Sequence, residues 1–373
     1  IIKHRGYSRL IHQLSGPKLY LSSIALSLLY LLGFEPFGYQ FIGLLTVSVL
    51  FYFALNLDER KSALVFFLFG FFLYCFGLHW LYISIHEVSG APKILAILLI
   101  AILSIYLSLF HSLFGFIFVK FHKRIANEWI SLLLIAPSLW TLLEILRGYF
   151  LTGFPWFSLG YIQSSSLISS WAPIGGVFLV SMMMAIASSA ILLIFLNKRI
   201  LGGLIIIILT ISSYLLGEVN WTHKSNGSPY RVALVQGNIE QDKKWLRSEF
   251  QNTLTLYANS LSDLDGMDLV IWPEVAIPSL KRNVEEYLEY LDAKMIEKDI
   301  KMLILGINTQ DQDGQVFNSM ISLGEEENIY QKRHLVPFGE YFPVTEGIRS
   351  WMQSMNLPSR DIAKGIRDQQ PFN

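Results

Sequence analysis

The stretch Met267-Asp268-Leu269-Val270-Ile271-Trp272-Pro273-Glu274 decides how the second half of this 373-residue chain is read. Its apolar centre is short, β-branched and aromatic, and it stops at a proline, which cannot donate into a sheet. Met267–Trp272 therefore reads as a buried strand with a carboxylate, Glu274, just past its end. Working outward, Arg231–Ile239 reads as another strand closed by Gly237-Asn238, and Lys301–Ile307, Val316–Leu323 and Ile329–Val336 as further ones. Between them, residues 243–262 read as a helix, and residues 283–299 as a charged helix with Val284, Tyr287, Leu288, Leu291 and Met295 on one stripe. Strands alternating with helices predict an α/β layer with a largely buried sheet.

A second motif, Tyr330-Gln-Lys-Arg-His-Leu-Val-Pro-Phe-Gly-Glu340, puts Lys332 near the end of the last of these strands. Taken singly, Glu274 reads as a surface carboxylate after a proline turn and Lys332 as a solvated charge beside Arg333. Together they form a candidate pair: a carboxylate able to take a proton and an ammonium able to offset negative charge. Such a pair suits a cysteine nucleophile. The one cysteine, Cys75, lies far upstream in an apolar segment, where a buried, inert thiol is expected.

The first half is of another kind. Residues 1–217 carry six acidic groups among long apolar runs, whereas residues 218–373 carry 23 acidic and 16 basic groups, a net charge near −7. The mean hydropathy of +0.44 thus averages a membrane half with a water-soluble one. Seven apolar segments are read at roughly 19–34, 41–56, 63–82, 94–119, 129–147, 173–196 and 200–217. The third, fourth and sixth easily meet the ~20 residues a ~30 Å hydrocarbon core requires; the first two are short and joined by the turn Glu35–Tyr39.

Basic residues sort by side. Lys3, Arg5, Arg9, Lys18, Arg60, Lys61, Lys120, Lys123, Arg124, Lys198 and Arg199 fall before the first segment or in alternate connections, against only Lys93 and Arg147 in the others. The excess predicts a cytoplasmic N-terminus and, after seven crossings, a polar half on the far side of the inner membrane. Trp80, Tyr82, Trp156 and Tyr161 in the outward connections suit a headgroup belt. Glu144 and Arg147, three apart on one helix face, are expected to pair and tie helices together, with a direct substrate contact as the alternative. No basic face suggests nucleic acid, one cysteine excludes a disulfide framework, and no phosphate loop or metal-ligand cluster implies a cofactor.

These residues resemble a known family, the bacterial apolipoprotein N-acyltransferases, whose soluble domain is of the nitrilase (carbon-nitrogen hydrolase) type. The likeness runs through Glu35–Tyr39, His79–Ile85, Pro137–Thr141 with Glu144, Arg147 and Gly148, Leu151–Trp156, Gly160-Tyr161, Val235–Asn238 with Trp245, Trp272–Glu274, Phe317–Ser319 and Tyr330–Tyr341. It implies a polytopic α-helical membrane domain of seven spans over residues 1–217. An α/β nitrilase-like domain, an αββα sandwich present here only in its N-terminal part, would then occupy residues 218–373. It further implies Glu274 as general base, Lys332 as the oxyanion-stabilising lysine, Glu340 as a supporting glutamate and Trp245 on a mobile segment near the entrance. The implied nucleophile is a cysteine on a later strand beyond Asn373, so the chain is expected to be C-terminally truncated and inactive as it stands.

The implied donor is a membrane phospholipid, the acceptor an apolipoprotein, and the intermediate a thioester, with no cofactor. Two other readings stay open from the residues: a membrane-anchored hydrolase using water as acceptor, and a non-catalytic lipid- or lipoprotein-binding membrane protein should the chain be complete.

Overall fold

The computed structural model describes residues 16–88, 90–223, 227–337, 339–341, 345–354 and 361–372. Lys3, Arg5 and Arg9 of the charge count, and Phe338 of the second motif, lie outside the described residues. The chain divides into two compact units, Ile1–His223 and Lys224–Asn373.

The first unit is helical. Its apolar helices are α1 (Pro17–Leu31), α2 (Gln40–Asn56), α3 (Glu59–Gly77), α4 (Lys93–Ile125), α5 (Ala136–Tyr149), α6 (Ala172–Phe195) and α7 (Arg199–Gly217). A turn at Glu128–Ile130 and a π-helical stretch, Ser131–Ile135, lead into α5 without a break. Among the described residues, five helical stretches are long and apolar enough to cross a membrane: α3, α4, α7, Glu128–Thr152 and Leu167–Phe195. At 15 and 17 residues, α1 and α2 are shorter. At 1.5 Å per residue they reach only roughly 22–26 Å, short of a ~30 Å hydrocarbon core.

Local chemistry sets several helix ends. Asp58 caps α3 by accepting from the Lys61 N–H at 2.9 Å. The last turn of α4 carries His122, Lys123 and Arg124, where positive charge suits the helix dipole. Lys123 then reaches Glu59 at 2.7 Å, joining the end of α4 to the start of α3. The two helices close tightly because Gly115 has no side chain; a Cβ there would sit 2.8 Å from the Ser62 carbonyl oxygen. Around that approach Phe51, Phe66, Phe114, Phe118 and Trp140 form one buried aromatic cluster. Cys75 lies near the end of α3 and is half-buried rather than buried as expected.

The second unit is built on one six-stranded mixed sheet. Its strands are β1 (Val232–Leu234), β2 (Leu269–Ile271), β3 (Ile277–Leu280), β4 (Met302–Gln310), β5 (Val316–Gly324) and β6 (Ile329–Gln331). The order is β1-β2-β4-β5-β6, with β3 also on β4. The β1–β2, β2–β4 and β3–β4 pairs are parallel, and β4–β5–β6 run antiparallel. Helices α8 (Arg247–Ser260) and α9 (Glu285–Glu297) share a core with the sheet: Leu254, Tyr257, Leu288, Leu291 and Met295 meet Val270, Trp272, Leu303, Leu305 and Ile321. A short helix, α10 (Glu346–Ser354), follows the second motif.

Two expectations change. The first strand is only three residues long and, as the edge strand of the sheet, leaves Val232 and Leu234 exposed rather than buried. The last strand ends at Gln331, so Lys332 stands just outside it. A further strand, β3, spans Ile277–Leu280 despite Pro278, and its Ile277 is fully buried beside β4.

Candidate active site

Strands β2 and β3 lie end to end along the same edge of β4: Val270 and Ile271 pair with Leu303 and Ile304, and Ile277 pairs with Ile307. The turn between them carries Glu274. Val275 in this turn has a φ of 48°, a strained left-handed conformation for a β-branched residue. Gly306 of β4 makes room for the turn. A Cβ at that position would lie 2.3 Å from the Val275 nitrogen and 2.5 Å from the Pro273 oxygen. The interruption that projects Glu274 thus depends on a missing side chain in the neighbouring strand.

Lys332 is placed from the opposite side of β5. Its N–H donates to the Asn318 carbonyl at 2.8 Å, and the Gly365 N–H donates to its own carbonyl at 3.0 Å. Glu340 sits on the tight turn after Val336, which donates from its backbone N–H to Glu340 Oε2 at 2.8 Å. Ile362 donates to the Glu340 carbonyl at 2.7 Å, holding the turn from outside.

The side chains converge. Lys332 Nζ lies 3.1 Å from Glu274 Oε1, 3.0 Å from Glu340 Oε1 and 2.9 Å from Glu340 Oε2. Asn318 Nδ2 donates to the same two Oε1 atoms, at 2.5 Å and 2.8 Å. Burial alone would pull the Lys332 ammonium down, but its hydrogen bonds to Glu340 and Glu274 outweigh that and hold its pKa above the usual lysine value. Burial likewise pushes the Glu340 carboxyl up. The donors Asn318, Val336 N–H and Lys332 prevail and bring it below the usual range. Lys332 is therefore a fixed cation and Glu340 a fixed anion at neutral pH.

The two carboxylates are not equivalent. The Glu340 side chain is 14 % exposed and both its oxygens accept hydrogen bonds. The Glu274 side chain is 63 % exposed, and its Oε2 has no partner among the described residues. The Lys332 ammonium is thus held against three carboxylate oxygens, one of Glu274 and two of Glu340.

Sequence reasoning thus named three side chains that the fold brings together, Glu274, Lys332 and Glu340. It did not single out Asn318, which links them. Phe317-Asn318-Ser319 contributed to the resemblance, but a polar residue inside a strand carries no sign of what it faces. Trp245 stands apart: it is 56 % exposed and lines a cavity of about 160 Å³ with Lys244, Arg247, Phe250 and Pro278. Its neighbour Lys244 makes the link to the site, donating to the Glu274 carbonyl at 3.2 Å. Burial there lowers the Lys244 pKa.

In the helical unit, Glu144 and Arg147 are both buried, yet no ion pair joins them. Glu144 Oε1 accepts from Trp140 Nε1 and from the Leu159 N–H, each at 2.8 Å. Arg147 donates to the Tyr74 hydroxyl, to the Trp156 carbonyl at 2.6 Å and to Ser158 Oγ at 2.9 Å. The expected pair is instead a double grip on the segment 156–159. That segment presents Trp156, which packs edge-on against Trp80 and Phe154 at centroid distances of 5.3 and 4.9 Å.

Two family models match the chain: the apolipoprotein N-acyltransferase N-terminal domain over residues 26–190, and the carbon-nitrogen hydrolase domain over residues 231–361. Among curated proteins, the apolipoprotein N-acyltransferase of Vibrio cholerae is 32 % identical over 96 % of this chain and 72 % of its own length. The protein of that name from Azotobacter vinelandii is 35 % identical over 94 % of this chain and 69 % of its own. That from Methylococcus capsulatus is 32 % identical over 90 % and 67 %.

Proposed function

This chain belongs to the apolipoprotein N-acyltransferase family, and we propose that it moves an acyl chain from a membrane phospholipid to the α-amino group of an apolipoprotein's S-diacylglyceryl cysteine. The enzyme class is an acyltransferase acting in lipoprotein N-acylation. The observation that carries the residue roles is the unequal pair of carboxylates: Glu340 is saturated and Glu274 keeps one oxygen open beside a fixed ammonium.

In the proposed reaction Glu274 takes the proton of a cysteine thiol, and the sulfur's electron pair attacks the ester carbonyl of the donor. The C=O π pair moves onto oxygen, where the positive charge of Lys332 offsets the new charge. Collapse breaks the acyl C–O bond, and the lysophospholipid oxygen takes the proton back from Glu274. The acceptor amine then attacks the thioester and gives a proton to Glu274; the C–S bond breaks, and the sulfur takes that proton from Glu274 to leave an amide, the thiol and the free carboxylate. The resemblance assigns the nucleophile to a cysteine outside residues 1–373; Cys75, on α3 of the helical unit, is not part of this scheme.

The chain is a multi-pass membrane protein. The placement proposed for it is the bacterial inner membrane, with α1 and α2 as short spans and the sheet unit on the periplasmic side. The Lys/Arg asymmetry of the connections, eleven against two, supports that placement. Both proposed substrates are two-tailed amphiphiles, which suits a site at a membrane surface.

The test is product analysis with the chain extended to the length of its relatives, given phospholipid with and without a diacylglyceryl lipopeptide bearing a free amine. An amide on the lipopeptide is expected. Release of free fatty acid regardless of amine would instead establish a hydrolase.

A further inference from the structure

Two carboxylates around one ammonium leave a net negative charge, and close like charges normally draw a proton into such a site. Here a second donor relieves the imbalance. Lys332 Nζ and Asn318 Nδ2 each donate to both Glu274 Oε1 and Glu340 Oε1, at 3.1, 3.0, 2.5 and 2.8 Å, so donors and acceptors alternate around a four-atom diamond. The orientation of the Asn318 amide follows from its partners, because the flipped form would set its oxygen against both carboxylates. Asn318 itself is 8 % exposed and lies inside β5, paired with Asn308 of β4, with its carbonyl held by the Lys332 N–H at 2.8 Å.

We propose that Asn318 is a positioning residue: its amide is shared between Glu274 and Glu340 and leaves Glu274 Oε2 as the carboxylate oxygen that takes up a proton. Both Oε1 atoms each accept from two donors, and Glu340 Oε2 accepts from Val336 and Lys332. Glu274 Oε2 is the remaining carboxylate oxygen, and it is the one without a partner among the described residues. A proton on either Oε1 would confront two N–H groups; a proton on Glu274 Oε2 leaves the diamond intact. The arrangement explains how one carboxylate can gain and lose a proton repeatedly while Lys332 stays in place. Among the described residues Lys244 is a further charged neighbour, and it donates to the Glu274 carbonyl rather than to its carboxylate. The base role of Glu274 rests on the function proposed above; the shared-donor role of Asn318 does not.

The test reads carboxyl titration directly, independent of turnover. With 13C-carboxyl glutamate in the detergent-solubilised chain, Glu274 and Glu340 resonances are assigned by their loss in Glu274→Gln and Glu340→Gln. In Asn318→Leu, of similar size but without donors, and in Asn318→Asp, the midpoint of Glu340 is expected to rise by about one pH unit or more. The same shift is expected when the native chain is compared with whichever of the two variants folds. In the native chain alone, both side-chain amide protons of Asn318 should move as Glu274 and Glu340 titrate. Amide protons that ignore that titration, or a Glu340 midpoint unchanged in a folded variant, would overturn the proposal.

Discussion

Glu274 with Lys332 in the sheet unit and Glu144 with Arg147 in the helical unit are both a carboxylate and a cation set close together, and they are used in opposite ways. Glu274 touches its lysine, keeps one oxygen open and is 63 % exposed along its side chain. Glu144 and Arg147 are almost fully enclosed, do not pair, and turn instead to an indole, two hydroxyls and the backbone of residues 156–159. Glu144 also has an unpartnered oxygen, Oε2, but it is sealed from solvent. An open oxygen next to a fixed cation can exchange protons with a substrate. A sealed one acts through the segment its partner oxygen holds.

That contrast fails if the two groups respond alike to substitution. The largest effect is expected on turnover. Glu274→Gln and Lys332→Met should each lower acyl transfer by about 10³-fold in the chain extended to its relatives' length, with the fold retained as judged by thermal unfolding. The reverse is expected of Arg147→Ala. It strands the Tyr74 hydroxyl, the Trp156 carbonyl and Ser158 and leaves Glu144 without a nearby cation, so about 3 kcal/mol of stability should be lost in detergent melts. An Arg147→Ala protein that melts like the native one would remove the structural half of the comparison.

Gly306→Ala sharpens the active half. The added Cβ must displace backbone at Val275 and Pro273, at a cost of about 1–3 kcal/mol. The Glu274 turn should move with it, lowering activity by more than the melting shift alone explains.

The smallest effect is on pH dependence. Glu340 has a folded pKa below its unfolded value near ~4.3, so its contribution is present above that value and lost as pH falls through the lower folded one. Lys332, raised, contributes below its unfolded value near ~10.4 and loses that contribution as pH rises through the folded one. Glu340→Gln should therefore flatten the acid side of a stability–pH curve, and Lys332→Met the alkaline side.

How much of this was legible beforehand follows from what each signal depends on. Long apolar runs and a charge asymmetry are local, so the helical half could be read directly, including the shortness of α1 and α2. Glu274 and Lys332 sit at strand ends, where a break in the apolar pattern marks them, whereas Glu340, on a turn, was named only through the family resemblance. Asn318 lies within β5, and its importance comes from which strand edges meet, a property of register that no single segment carries. Strand β3 accommodates Pro278 at the register irregularity between Ile277 and Leu280, which pair with Ile307 and Asn308 of β4. The Glu144–Arg147 spacing was read correctly, but helix geometry alone could not foresee that the segment 156–159 would fold back and take both groups.

The most direct test of the central claim is acyl-enzyme formation from acyl-labelled phospholipid in the extended chain, trapped before any acceptor amine is added. The account predicts a hydroxylamine-sensitive label on the native enzyme and almost none on Glu274→Gln or Lys332→Met, each folded as judged by its melt. Label of equal amount and rate on both variants would contradict it.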